Sequence, residues 1–224
     1  MRGRVRSIVG VLRKDLRSEL RTRYAVNALL MFVVTTVTIV VFSFGSEGAP
    51  NDVLAGVLWV IIFFGAMSGL SRSFVVEEER GTAMTLQLLT APLNVFFGKL
   101  LFNVVLVTAL NAVTVLLFAG FVGGFHVKAA GIFVVVLSLG SMGFAAASTI
   151  IAAIIARANS KGTLFPVLAF PILLPLLLVV IDATRLAADG AFFEEALGDF
   201  QLLLSYIVVM LTVSYVSFEH IWKD

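Results

Sequence analysis

The sequence predicts an all-α polytopic membrane protein, with six transmembrane helices and an N-terminal interfacial amphipathic helix. Three observations carry this prediction. The 224 residues are 60% hydrophobic and only 13% charged, which is outside the range of soluble domains. The apolar residues fall in long runs rather than at amphipathic spacing, and six of these runs reach the roughly 20 residues a helix needs to cross the hydrocarbon core. The Lys, Arg, Asp and Glu residues lie between those runs.

In chain order, residues 1–23 read as the interfacial helix. Val5, Ile8, Val9, Leu12, Leu16 and Leu20 repeat at three- and four-residue spacing, with Arg13, Lys14, Arg17 and Arg21 on the other face. A basic tail held by anionic lipid would explain the charge but not the stripe. Asp15 and Glu19, the long apolar run that follows and the lack of a small-residue cleavage site mark a retained segment rather than a cleaved signal.

The six-helix domain covers 24–218, with windows at 24–46, 53–71, 100–125, 129–156, 162–181 and 200–218, and residues 219–224 as a tail. Gly123, Gly124 and His126 mark the turn after the third window. Pro166, Pro171 and Pro175 remove backbone donors from the fifth and predict a bend there. The loop "DATRLAADGAFFEEALGDF" is too polar to span, and its "FFEEAL" could lie as a short helix in the outer interface. "GAMSG", "GFVGG" and "GSMGFAAAS" allow close helix approach.

Orientation follows from the basic residues. With the N-terminus in the cytosol, the inner side holds eight of the sixteen Lys and Arg before position 24, together with Arg72, Arg80, Lys99, Arg157, Lys161 and Lys223. The outer side holds only Lys128 and Arg185. The loop 72–99 is thereby predicted to be cytosolic, the loop 182–199 external, and both termini cytosolic. The N-terminal basic cluster reads membrane orientation, not nucleic-acid binding.

Several chemistries are excluded. The chain has no cysteine, so sulfur-based metal sites and disulfides are ruled out. No phosphate-binding loop occurs: "NVFFGKL" lacks the leading glycine and the hydroxyl residue that would hold magnesium. His126 and His220 fall at opposite faces and cannot ligate one haem together. No ionisable side chain lies inside a predicted window, which argues against proton or sodium coupling. The sequence therefore predicts no catalytic residue, no metal and no directly bound cofactor; any energy has to come from a partner.

The 72–99 loop is the place to meet one. Thr82 can cap a helix from Ala83 to about Ala91, Glu77 to Glu79 favour its N-terminal side, and Pro92 ends it. Met84 and Leu88 share one face, with Leu86 and Leu89 adjacent, as in a helix that docks into a groove of a soluble partner.

"ERGTAMTLQLLTAPLNVFFGKLL" resembles the cytosolic loop of type-2 ABC permeases, where it forms the coupling helix. "VLRKDLRSELRTR", "GLSRSFVVEEERGT" and "RANSKGTLFPVLAFPILLPLLL" narrow the resemblance to the haem exporter B family, the permease subunit of the cytochrome c maturation system. The resemblance implies a permease that works with a separate ABC ATP-binding subunit, the source of ATP hydrolysis, and with a haem-handling membrane subunit. The tryptophan-rich haem motif of that subunit is missing, the only tryptophans being Trp59 and Trp222. By carry-over, Glu79, Gly81, Thr82, Leu88, Leu89, Pro92 and Lys99 would form the coupling region, Lys14 and Asp15 would lie in the interfacial helix, and Pro171 and Pro175 in the bent fifth span. Haem is the implied cargo, exported or handed on by release of a haem-loaded chaperone. The alternatives are a type-2 permease for another apolar cargo and a non-transporting membrane scaffold.

Overall fold

The computed structural model describes residues 2–45, 48–156 and 161–223. The last residue of the predicted first window, Arg157 and the "ANS" that follows it, and Asp224 of the tail lie outside the described residues. Nine helices and no strand are found among them. Six are long and apolar enough to cross a membrane: α2 (Tyr24–Phe44), α3 (Asn51–Leu70), α6 (Pro92–Phe121), α7 (Ala130–Ala156), α8 (Lys161–Asp189) and α9 (Leu197–Lys223). The other three are α1 (Arg2–Thr22), α4 (Val75–Glu79) and α5 (Ala83–Leu89).

α7 is the centre of the bundle and packs against α3, α6, α8 and α9. Its small residues make this possible, since lipid supplies no hydrophobic drive between helices and close backbone approach must do so instead. A Cβ on Gly140 would come within 2.5 Å of the Trp59 ring, and one on Gly143 within 2.7 Å of Leu176. Trp59 is fully buried, stacks on Phe144 with ring centroids 6.0 Å apart, and donates its indole N–H to Thr184 Oγ1 at 2.7 Å. Asn103 Nδ2 donates to Thr149 Oγ1 and Asn111 Nδ2 to Ser141 Oγ, both at 2.8 Å. These buried amides join α6 to α7 where water is absent.

Four boundaries differ from the sequence expectation. α6 starts at Pro92, eight residues before the predicted third window, because proline is preorganised for the first helical position. α8 continues to Asp189 rather than stopping near 181. Its charged residues from Asp182 on share one side, where Arg185 pairs with Asp182 at 2.7 Å and Asp189 at 3.6 Å, while Ala183, Thr184, Ala187 and Ala188 are buried. "FFEEAL" forms turns, not a helix: Gly190 adopts φ +86° after α8, and Glu195 accepts the Phe192 N–H at 2.9 Å. The predicted tail is the last turn of α9, held by buried Phe218 and Trp222.

The glycine motifs also separate. A Cβ on Gly65 or Gly69 would meet Leu110 or Leu29 within the chain, whereas one on Gly120 would have no neighbour within 4 Å among the described residues and Gly124, at φ +86°, belongs to a turn. α1 and the last turn of α9 come to one end of the bundle, where α1 packs on α6 and Trp222 meets α5.

Candidate functional site

At that shared end, α4 and α5 make a short helical corner between α3 and α6. Two hydrogen bonds close α4, from Gly81 N–H to Glu78 O at 3.1 Å and from Thr82 N–H to Glu77 O at 2.9 Å. This pair is the Schellman arrangement, which needs a left-handed residue after the helix. Gly81 supplies it at φ +65°, and among the described residues no atom beyond its chain neighbours lies within 4 Å of where its Cβ would be. The requirement is therefore conformational rather than steric. Gly81→Val is expected to weaken the α4 to α5 corner by about 1–2 kcal/mol, and Gly81→Asn to be tolerated. Hydrogen exchange of the amides over 75–89 would show the difference, and equal protection in both variants would refute it.

Thr82 does not cap α5. Its backbone is right-handed helical and its hydroxyl donates to Glu77 Oε2 at 2.5 Å. The cap role is lost because Glu77, predicted to sit beside the α5 N-terminus, is instead buried below it with 5% exposure. Nor does Pro92 end α5: the helix stops at Leu89, Thr90 and Ala91 are extended as a residue before proline prefers, and Pro92 opens α6.

Glu77 is the hub of a charge cluster in which it, Asp15 and Lys99 are buried and Lys14 is exposed. Its Oε1 accepts from Lys99 Nζ at 2.9 Å and from Lys14 Nζ. Lys99 Nζ also donates to Ser73 O at 2.8 Å and lies 3.0 Å from Asp15 Oδ2, in ion-pair contact rather than an aligned hydrogen bond. Lys14 Nζ sits 3.1 Å from Asp15 Oδ1. Two ammonium groups and two carboxylates thus balance, drawn from α1, α4 and α6. Lys99 is 2% exposed, and its ammonium also stands 5.6 Å from the Phe74 ring centre. The sequence expectation keeps it in the 72–99 loop, just outside the third window; it stands instead on α6, which begins two turns before it.

Close packing completes the platform. A Cβ on Gly98 would come within 2.6 Å of Val11, so α1 lies directly on α6. Phe74, Phe96, Phe218 and Trp222 form one aromatic group with centroids 5.1–5.7 Å apart, joining the segment before α4 to α6 and α9. Gln87 of α5 donates to Trp222 O at 2.6 Å. α5 seats Ala83 and Leu86 inward, while Met84, Leu88 and Leu89 are 70%, 81% and 76% exposed. Beneath α5 is a cavity of about 560 Å³, lined by the charge cluster together with Arg72, Arg80, Leu86, Leu89, Phe102 and Leu106.

Of the residues named from sequence, the structure gathers Gly81, Thr82, Leu88, Leu89, Lys99, Lys14 and Asp15 around this corner. Glu79 is exposed and paired to Arg72 at 3.4 Å. Pro171 and Pro175 lie within α8 and do not line the cavity; between them, Ile172 O accepts from Tyr206 of α9 at 2.9 Å. Sequence reasoning missed Glu77 as the hub, and also Gln87, Asn103 and Asn111. A lone amide in an apolar run was the only signal for the asparagines.

The family profile described as "CcmB protein" matches residues 6–222, nearly the whole chain. The chain belongs to the CcmB family. No curated protein matches it. Membership makes this chain the membrane permease component of a haem exporter in cytochrome c biogenesis, part of an ABC complex with an ATP-binding subunit. The six long apolar helices fit the multi-pass membrane protein that a CcmB permease is. Between α3 and α6, α5 of the CcmB chain holds Met84, Leu88 and Leu89 exposed.

Proposed function

We propose that this CcmB chain converts nucleotide-driven closure of its ATP-binding partner into movement of α1, α6 and α9, with α5 as the docking lever. One observation carries the reading. α5 exposes Met84, Leu88 and Leu89 while standing on a buried, charge-balanced joint to α1 and α6 and on an aromatic joint to α9. A push on α5 therefore reaches three elements through contacts already in place. The lever side is cytosolic in this reading, with both termini, in a bacterial inner membrane. Fourteen of the sixteen basic residues on that side support it.

The movement serves haem handling, by transfer of haem itself or by release of a haem-loaded chaperone from the haem-handling membrane subunit. His126, in the turn after α6, and His220, on the last turns of α9, are at opposite ends, which supports release over direct ligation. Because the chain has no cysteine, Met84→Cys would introduce a unique thiol on α5. In native membranes that thiol is expected to cross-link to the ATP-binding subunit with a yield that changes on adding nucleotide. Phe192→Cys, at the other end, is expected not to do so. Cross-linking from Phe192 alone would place the partner on the wrong side, and a yield indifferent to nucleotide would favour a static scaffold.

A further inference from the structure

The charge cluster consumes Lys14 but leaves the arginines of α1 uncompensated. Arg13, Arg17 and Arg21 recur every four residues along one exposed face, and no carboxylate lies within ion-pair distance of them among the described residues. Arg80, at the corner between α4 and α5, crosses to this face and donates from its guanidinium to Ser18 Oγ at 3.3 Å. Between α1 and that corner lies an open groove of about 620 Å³, whose lining holds Arg13, Lys14, Arg17, Arg21 and Arg80 and no carboxylate. Guanidinium groups offer forked donors that match phosphate oxygens.

We infer that this groove binds the phosphate of an anionic phospholipid. The choice of a lipid over a soluble anion comes from the neighbouring face of α1. Val5, Leu16 and Leu20 are 60%, 39% and 63% exposed there, an apolar stripe beside the arginines. Apolar stripe and phosphate-binding edge together match acyl chain and headgroup. Since Arg80 belongs to the lever and the other arginines to α1, a headgroup held in the groove bridges two elements. The surface charge of α1 alone would attract lipid without any need for Arg80.

That difference makes the inference testable. The full-length chain in neutral detergent would be titrated with dioctanoyl phosphatidylglycerol and with dioctanoyl phosphatidylcholine, and bound lipid counted by native mass spectrometry. Phosphatidylglycerol is expected to bind in preference. Arg17→Gln and Arg80→Gln are each expected to weaken it about five-fold, while Arg80→Lys loses less and Arg185→Gln, at the other end, loses nothing. Excess inorganic phosphate should not displace the lipid. Equal binding of the two lipids, undiminished binding by Arg80→Gln, or displacement by inorganic phosphate would each overturn the inference.

Discussion

Leu88→Asp is expected to abolish maturation of c-type cytochromes while leaving the chain inserted at normal abundance. Leu88 is 81% exposed, so the substitution removes almost no packing within this chain, and exposed changes of this kind shift stability by roughly 0.5 kcal/mol or less. Its effect falls on whatever covers α5. A carboxylate forced into a desolvated apolar seat loses its hydration without gaining a partner. Interface anchors commonly cost about 2 kcal/mol or more when lost, on the order of thirty-fold in affinity. The readout is the haem-stained content of c-type cytochromes beside membrane abundance of the chain and ATPase activity of the complex. Leu88→Met, which keeps an apolar side chain, should mature cytochromes normally. Normal maturation in Leu88→Asp would remove α5 from the mechanism.

The second large effect is expected at the joint beneath the lever. Lys99→Ala leaves Glu77 and Asp15 facing each other with only Lys14, whose side chain is 42% exposed against 3% for Lys99. Breaking a buried ion pair from one side costs about 3–5 kcal/mol, because the remaining charge stays buried without compensation. The variant should melt well below the parent in detergent. Lys99→Met combined with Glu77→Gln removes one charge of each sign and leaves Lys14 and Asp15, 3.1 Å apart, as a balanced pair. The double variant is therefore expected to recover more than half of the lost stability. Additive losses would show that the four groups do not act as one network.

The two variants separate two roles. The first disturbs only what α5 meets, and the second disturbs what α5 stands on. If the lever transmits force through the joint, the double variant should fold well yet mature cytochromes poorly, since α4 then meets α1 and α6 without its ionic tie. Full maturation in that variant would assign the transmission to the Phe74, Phe96, Phe218 and Trp222 contacts instead.

The sequence by itself determined the class of protein, the number of long helices and the family. Each of those depends on local information: a run of about 20 apolar residues is a property of one window, and the motifs over 11–23, 69–82 and 79–101 are contiguous. The exposed apolar face of α5 was legible in the same way, from Met84 and Leu88 four residues apart. The site itself was decided by tertiary structure. Glu77 meets Lys99 from 22 residues away and Lys14 from 63, and Gln87 reaches Trp222 across 135. No periodicity encodes such distances. A glutamate in the run "EEE" reads as solvated beside its neighbours until packing of α1 on α6 removes water from one of the three. Burial of charge is a property of the assembled end of the bundle: only when several helices converge do two lysines and two carboxylates become each other's solvent.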